Sequence, residues 1–298
     1  MTWYTYQNGN YTVHINTEDG TKIKETDAEE FKAAFPESID CKITDYCEMN
    51  CPWCHENSSL DGKHANIAGA VFIETLRPFT EIAIGGGNPL AHPNLVPFLE
   101  ILQEKQVIAN ITVNQNHFIN KLPFIEELVA KKLIYGLGIS LVTPGEAFIG
   151  AVQKFPNAVI HVINGATKVD DIWELRNKGL KLLILGYKKF RRGVEHYSES
   201  IEQEQHRLWK LLPAIMTSFK ACSFDNLALT QLKVKDLLSE VMWDAFYQGD
   251  DGSHTLYVDL VRREFALNST SKIVYSLRDS IDEMFQVIQN PEVIEKDG

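Results

Sequence analysis

The sequence predicts an α/β protein: a partial (β/α)6 TIM-like barrel with an N-terminal β-hairpin cap and a mixed α+β C-terminal extension. Three observations carry that prediction. Short apolar runs begin near Ile39, Glu81, Ile108, Ile134, Ala158 and Lys181, so successive starts lie 42, 27, 26, 24 and 23 residues apart. Helix-length segments at 66–79, 94–105, 122–131 and 170–178 fill the gaps, and such alternation indicates parallel strands joined by helical crossovers. The rhythm stops after Tyr187, which leaves six units where a complete barrel of about 250 residues has eight.

Taken in order, residues 1–35 read as the cap. Positions 11–15 alternate, Glu18-Asp19-Gly20 turns, and positions 21–24 return, the pattern of a hairpin. Residues 36–190 form the barrel core. The longest gap, between the first two strands, holds a cysteine-rich loop. Residues 191–298 are read as a region that shapes the substrate pocket. It has a helix at 201–219, a loop carrying Cys222, a helix at 232–243, a β-structured insert near 255–265 and an amphipathic helix at 277–289.

Composition narrows the function classes. A 44% hydrophobic fraction supports a sizeable core. No apolar run approaches the roughly 18 residues of a membrane span, and the first residues lack the basic-then-apolar pattern of a secretory signal. Clustered thiols without such a signal give a cytoplasmic expectation. The net charge of −11 (29 minus 40) argues against broad nucleic-acid binding. The one basic run, Lys188-Lys189-Phe190-Arg191-Arg192, reads as a solvated loop or as a contact for an anionic substrate at the barrel mouth.

The strongest functional signal is Cys47-Glu48-Met49-Asn50-Cys51-Pro52-Trp53-Cys54, three of the five cysteines within eight residues. Three thiolates on one short loop can hold three irons of a [4Fe–4S] cube. Full ligation takes four cysteines, so one iron is left open to a bidentate small molecule. The alternative is zinc, which wants four ligands and would recruit Cys41 and His55. In a parallel α/β sheet, ligands sit beyond the carboxyl ends of the strands. The cysteines follow the first core strand and Gly85-Gly86-Gly87 the second, so both fall on that face.

Cys47-x3-Cys51-x2-Cys54, with Trp53 before the last cysteine, resembles the cluster loop of the radical S-adenosylmethionine (SAM) superfamily. The segment from Ile82 to Leu90, with its three glycines, resembles that family's glycine-rich motif at the end of the second strand. The resemblance is firm from about Cys41 to Leu102 and architectural from there to about Tyr187. It implies that SAM chelates the open iron and that an electron delivered through the cluster splits it to methionine and a 5′-deoxyadenosyl radical. A flavodoxin or ferredoxin would supply that electron.

The resemblance also implies roles. Gly85, Gly86 and Gly87 let the backbone approach the methionyl amino group. Trp53 packs near adenine or shields the cluster. Asn114 and Ser140, by strand position, contact SAM, with Ser140 toward the ribose or capping a turn, and Asn164-Gly165 presents backbone to adenine or simply turns. Asn88 stands where the family usually has glutamate, so the carboxylate charge is lost there although an amide oxygen remains. His55, His92 and His117 lie near the open face as structural groups, and no residue is assigned as catalytic. Cys41 reads as a core thiol, and Cys222 as a buried thiol or a hydrogen-atom donor.

No second cysteine group follows Cys54, so an auxiliary cluster is not expected. The implied function is hydrogen abstraction from an unidentified small-molecule, nucleotide or peptide substrate. The Cys51-Pro52-Trp53-Cys54-His55 run also looks like that of glycyl-radical-enzyme activases. A non-catalytic Fe–S or zinc binding module is the reading from another class.

Overall fold

The computed structural model describes residues 3–291. A first sheet of three antiparallel strands, β1 (Trp3–Asn8), β2 (Tyr11–Asn16) and β3 (Lys22–Glu25), has the order β1-β2-β3. The expected hairpin is β2 and β3; β1 adds a third strand in register from Trp3 opposite Asn16 to Asn8 opposite Tyr11. Lys22 and Lys24 pair with Glu37 at 3.6 and 3.0 Å, and Lys22 with Glu81 at 3.0 Å. These ion pairs anchor the sheet beneath the starts of the first core strands.

The core strands are β4 (Ser38–Thr44), β5 (Glu81–Gly86), β6 (Ile108–Asn114), β7 (Gly136–Ser140), β8 (Ala158–Ile163) and β9 (Lys181–Leu185). Their starts fall within two residues of the predicted ones. Beyond residue 190 come β10 (Ala221–Phe224), β11 (Thr255–Asp259), β12 (Glu264–Ala266) and β13 (Tyr275–Ser276). All ten share one sheet of order β10-β9-β8-β7-β6-β5-β4-β11-β12-β13. The run from β10 through β11 is parallel throughout.

The six predicted parallel strands are all present, and the C-terminal extension lengthens their sheet: β10 adds beside β9 and β11 beside β4. Cys222 lies within β10 and not in a loop. The strand order is open, ending on β10 and β13.

The two faces of this sheet differ. Ile39, Cys41, Ile43, Ile82, Ile84, Ile111, Val113, Ile139, Ile160, Val162, Leu182 and Ile184 are buried in one apolar core with the crossover helices. Alternate positions, including Asp40, Ala83, Thr112, Gly138, His161 and Leu183, line a cavity of about 1210 Å³. Barrel interiors are ordinarily filled by layers of bulky branched side chains. Here Ala83 and Gly85 leave space open, whereas Gly136 makes room for the Asn110 side chain and Gly138 for those of His161 and Thr112.

Helices Leu95–Glu104, Leu122–Ala130, Glu146–Val152 and Val169–Glu174 occupy the crossovers. The expected helix over 66–79 is instead two 3-10 turns, Ile67–Gly69 and Val71–Thr75. Gly69 and the β-branched Val71, Ile73 and Thr75 disfavour a continuous α-helix, while Ile67, Phe72 and Ile73 still bury themselves. After the 18-residue helix Glu199–Met216, the helix expected at 232–243 is instead a 3-10 turn, Val234–Leu237, and a short α-helix, Glu240–Phe246, divided by extended backbone at Leu238 and Ser239. Among the described residues, no helix is long and apolar enough to cross a membrane.

At the amino ends of the strands, the β2–β3 turn closes in. Thr17, Asp19 and Gly20 line the cavity, and Asn157 Nδ2 donates to the Glu18 carbonyl at 2.7 Å.

Candidate active site

The cysteine loop leaves β4 at the carboxyl end of the sheet. Its own backbone folds it: Cys47 N donates to Ser59 O at 2.9 Å, Ser59 N to Asp45 O at 3.0 Å and Cys54 N to Cys51 O at 3.2 Å. Asn50 and Asn57 take positive φ, +45° and +56°, a conformation asparagine tolerates better than most residues. Cys47, Cys51 and Cys54, all half-buried, line the cavity together with Met49 and Trp53. Burial raises the Cys47 and Cys51 thiols, and the Arg192 charge opposes that rise.

Beneath the loop lies a buried charge network. Lys42 on β4 is 1% exposed and meets Asp45 at 2.5 Å, Glu56 at 2.8 Å and Asp259 at 3.1 Å. Burial works against its charge, but Glu56 and Asp45 outweigh it and hold the ammonium above its ordinary range. Glu56, two residues past Cys54, also receives Tyr257 Oη at 3.2 Å and faces Arg191 at 3.7 Å. Burial opposes its ionisation, yet His55 and then Lys42 hold its carboxyl well below the usual range.

Two arginines of the basic run, expected to be solvated or to meet a substrate, clamp this loop, while Lys188 lines the cavity. Arg191 Nη1 donates to the Glu56 carbonyl at 2.8 Å, and Arg192 Nη2 to the Ser58 carbonyl at 2.7 Å. Arg192 Nη1 also donates to Asn50 Oδ1, while its Nε is buried without a partner. Lys188 Nζ reaches Ser269 Oγ at 2.9 Å and His55 Nε2 at 3.3 Å. The sequence carried the charges, but nothing local to it named their partners some 130 residues upstream.

The three glycines differ. A Cβ on Gly85 would meet nothing within 4 Å, so this residue opens onto the cavity. A Cβ on Gly86, whose φ is +108°, would lie 2.4 Å from Thr44 O, and one on Gly87 would lie 2.1 Å from Tyr46 O. Those two glycines are required by the cysteine loop itself. Gly87 N and Asn88 N donate to Thr44 O and Tyr46 O at 2.7 and 2.6 Å, binding the end of β5 to the loop.

Asn88 is 6% exposed. Its Nδ2 donates to both Glu48 carboxylate oxygens, at 3.1 and 3.2 Å, and its Oδ1 is buried without a partner. His117 Nε2 lies 3.3 Å from Glu48 Oε1, though neither ring nitrogen makes an aligned hydrogen bond. Burial lowers the His117 pKa, against the Glu48 charge. Sequence reading missed Glu48, whose only signal was its place beside Cys47.

Trp53 is half-buried with its ring 5.6 Å from that of His196. Asn114 ends β6 and caps the next helix, its Oδ1 accepting from Asn116 N at 2.9 Å, and Ser140 ends β7; both line the cavity. Asn164-Gly165 is a turn held by its neighbours. Asn164 Nδ2 donates to Gln231 at 3.0 Å, and a Gly165 Cβ would strike Gln205 and Ile201. Cys222 packs on the core, its thiol pushed up to about 12 by burial. Deep in the cavity wall, burial lowers His161 to about 4 and raises the Asp40 carboxyl.

The donor set tests which metal group fits. Among the described residues, the group with three ligand atoms mutually within 4.8 Å is Cys47, Glu48 and His117. The three cysteine sulfurs are not drawn together that closely, whereas zinc bonds of about 2.3 Å imply sulfurs roughly 3.8 Å apart. Cys41 is buried in the core and His55 contacts Glu56 at 3.3 Å; neither belongs to the group drawn together around Cys47. Three thiols that line one cavity without all closing to within 4.8 Å of one another leave room for a group larger than a single ion.

No family model matches the chain. It is 26% identical over 81 residues to the PqqA peptide cyclase of Gluconobacter oxydans (strain 621H), covering 26% of this chain and 23% of that protein. The match thus spans about a quarter of the relative. The fold is that of Streptococcus suis SuiB: the SAM-bound structure superposes with a TM-score of 0.65 at 12% identity, covering 96% of this chain and 86% of that one. SuiB bound to its precursor peptide SuiA gives a TM-score of 0.58 at 14% identity, over 85% of this chain and 65% of SuiB.

Proposed function

We propose that this chain, which carries the cysteine loop and the fold of the radical SAM superfamily, is an enzyme that binds a [4Fe–4S] cluster and SAM and abstracts hydrogen from a peptide. The observation that carries the proposal is the placement of Cys47, Cys51 and Cys54 on one loop at the carboxyl mouth of a parallel sheet, over a cavity of about 1210 Å³. That space exceeds the roughly 300–1,000 Å³ of a single small-molecule site, so a cofactor and part of a second molecule fit together. Peptides are favoured because the relatives named above are a peptide cyclase and a protein captured with a precursor peptide.

When bound, the cluster would relay an electron from an external low-potential donor for the reductive cleavage of SAM. The chain does the rest. Cys47, Cys51 and Cys54 would hold three irons, and the Arg191–Arg192 clamp with the Lys42–Glu56 network fixes their loop. Trp53, Gly85, Asn114 and Ser140 line the space where SAM would lie. The deep wall favours neutral forms: burial leaves His161 unprotonated near neutrality and raises the Asp40 carboxyl.

The test uses anaerobically reconstituted protein with SAM and a panel of deuterated short peptides. Deuterium should appear in 5′-deoxyadenosine from one of them. Cleavage of SAM with no deuterium transfer from any peptide rejects the peptide substrate. A glycyl EPR signal on a partner enzyme would instead indicate an activase. The close approach of Cys47, Glu48 and His117 favours a second reading, a single bound cation in a non-catalytic module. Metal analysis separates the two: about four irons per chain, or one zinc.

A further inference from the structure

The structure assigns Asp40, in the middle of β4, as the residue that binds a cationic group of the substrate, an ammonium or a guanidinium, inside the cavity. The inference rests on the enzyme reading above and names the chemistry of its second molecule. Ile39 and Cys41 on either side of Asp40 are buried in the core, and Asp40 takes the opposite face, which lines the cavity. It lies four residues before Thr44, where β4 ends, or about 13 Å at 3.3 Å per residue. That places it below the cysteine loop.

Nothing in the chain answers its charge at close range. Among the described residues, the Asp40 carboxylate makes no hydrogen bond and no ion pair. The carboxylates around it are all engaged. Glu56 meets Lys42 at 2.8 Å and accepts from Tyr257 Oη at 3.2 Å. Asp225 accepts from Gly186 N and Ala228 N at 2.8 and 2.7 Å, and Asp251 from Asn226 and Asn268, both at 2.8 Å. Lys188 is the cation that acts most on Asp40, but its ammonium donates to Ser269 Oγ at 2.9 Å and lies 3.3 Å from His55 Nε2. Protein surrounds the Asp40 carboxyl, and this enclosure raises it, with Lys188 opposing and Asp251, Asp225 and Glu56 adding to the rise.

An enclosed carboxylate without donors is costly, and a cation brought to it removes that cost. There is room for one. In the sheet register Asp40 stands opposite Ala83 of β5 on one side and Tyr257 of β11 on the other. Ala83 fills little space, and next along β5 on the same face a Cβ on Gly85 would meet nothing within 4 Å. Asp40 is itself exposed to the cavity that all of these residues line, so a ligand can touch it. An ammonium or guanidinium gives the carboxylate a charge-assisted hydrogen bond, and the aromatic neighbour also attracts cations. A neutral group leaves the charge unanswered.

The experiment uses the anaerobically reconstituted chain loaded with SAM, with butylguanidinium and its neutral counterpart butylurea as probes. Binding is read by calorimetry in wild type, Asp40→Asn and Asp40→Ala, after iron content has been measured in each. Wild type should bind butylguanidinium about 10- to 100-fold more tightly than butylurea, and the variants should bind the two alike. Equal affinities in wild type overturn the inference, as does a preference that survives both substitutions. Turnover then identifies the group held. In any peptide that yields deuterium, replacing a lysine by norleucine or an arginine by citrulline, or acetylating the N-terminus, should lower kcat/KM by about 10- to 100-fold in wild type. In Asp40→Asn that discrimination should vanish. A preference for butylguanidinium with no deuterium from any peptide leaves the cation site standing and rejects the peptide reading. Deuterium from a peptide whose neutral versions all react equally well leaves the peptide reading standing and rejects this inference. A wild-type chain that assembles no cluster removes both.

Discussion

Replacing Lys42 by methionine tests the network under the cysteine loop. Methionine keeps most of the side chain's length and apolar packing, so the change is chiefly the loss of one charge. It would leave Asp45, Glu56 and Asp259 facing one another, with Arg191 and His55 the basic groups remaining near Glu56. Removing one partner of a buried ion pair costs about 3–5 kcal/mol, since the partner's desolvation is no longer repaid. Unfolding entropy near 2.1 cal/mol/K per residue amounts to about 0.6 kcal/mol/K over 298 residues. The melting temperature should therefore drop by about 5–8 °C, read by circular dichroism under anaerobic conditions. Lys42→Met/Glu56→Gln should recover part of that loss, because it removes one uncompensated carboxylate. A Lys42→Met melting point within about 2 °C of wild type refutes the reasoning.

Three further outcomes follow from the same geometry. Gly86→Ala should lose about 1–3 kcal/mol from its positive φ alone, with the clash on Thr44 O adding to it, while Gly85→Ala should melt like wild type and bind SAM less well; paired urea titrations check this. His161 is held at about 4 against an ordinary 6.5, so between those values the unfolded chain binds more protons and stability falls as pH drops from 6.5 toward 4; His161→Gln should flatten that slope in denaturation curves taken across the window. Arg192→Gln should assemble a cluster whose midpoint potential is more negative, because a positive charge beside Cys47 and Cys51 is gone; an EPR-monitored redox titration that finds no change contradicts it.

The six central strands and the cysteine loop were legible because their signals are local: apolar runs at repeating intervals and three thiols in eight residues. What escaped depends on distant pairing. β11 joins the sheet beside β4, more than 200 residues earlier, with Val258 opposite Cys41, and no periodicity announces such a partner. β10 is only four residues long, too short to separate from a loop by alternation. Lys42, Glu56, Asp259 and Arg191 look like ordinary surface charges in the sequence, and become one buried network only once β4, β11 and the loop after β9 are brought together. Gly86 and Gly87 were marked as special, but the reason lies in the neighbouring loop's carbonyl oxygens.

The β2–β3 turn belongs to the chamber as much as to the N-terminal sheet. Thr17, Asp19 and Gly20 line it, and Asn157 holds the Glu18 carbonyl at 2.7 Å. A change in the length or bulk of that turn therefore reshapes the interior wall, although the turn lies outside the ten-stranded sheet.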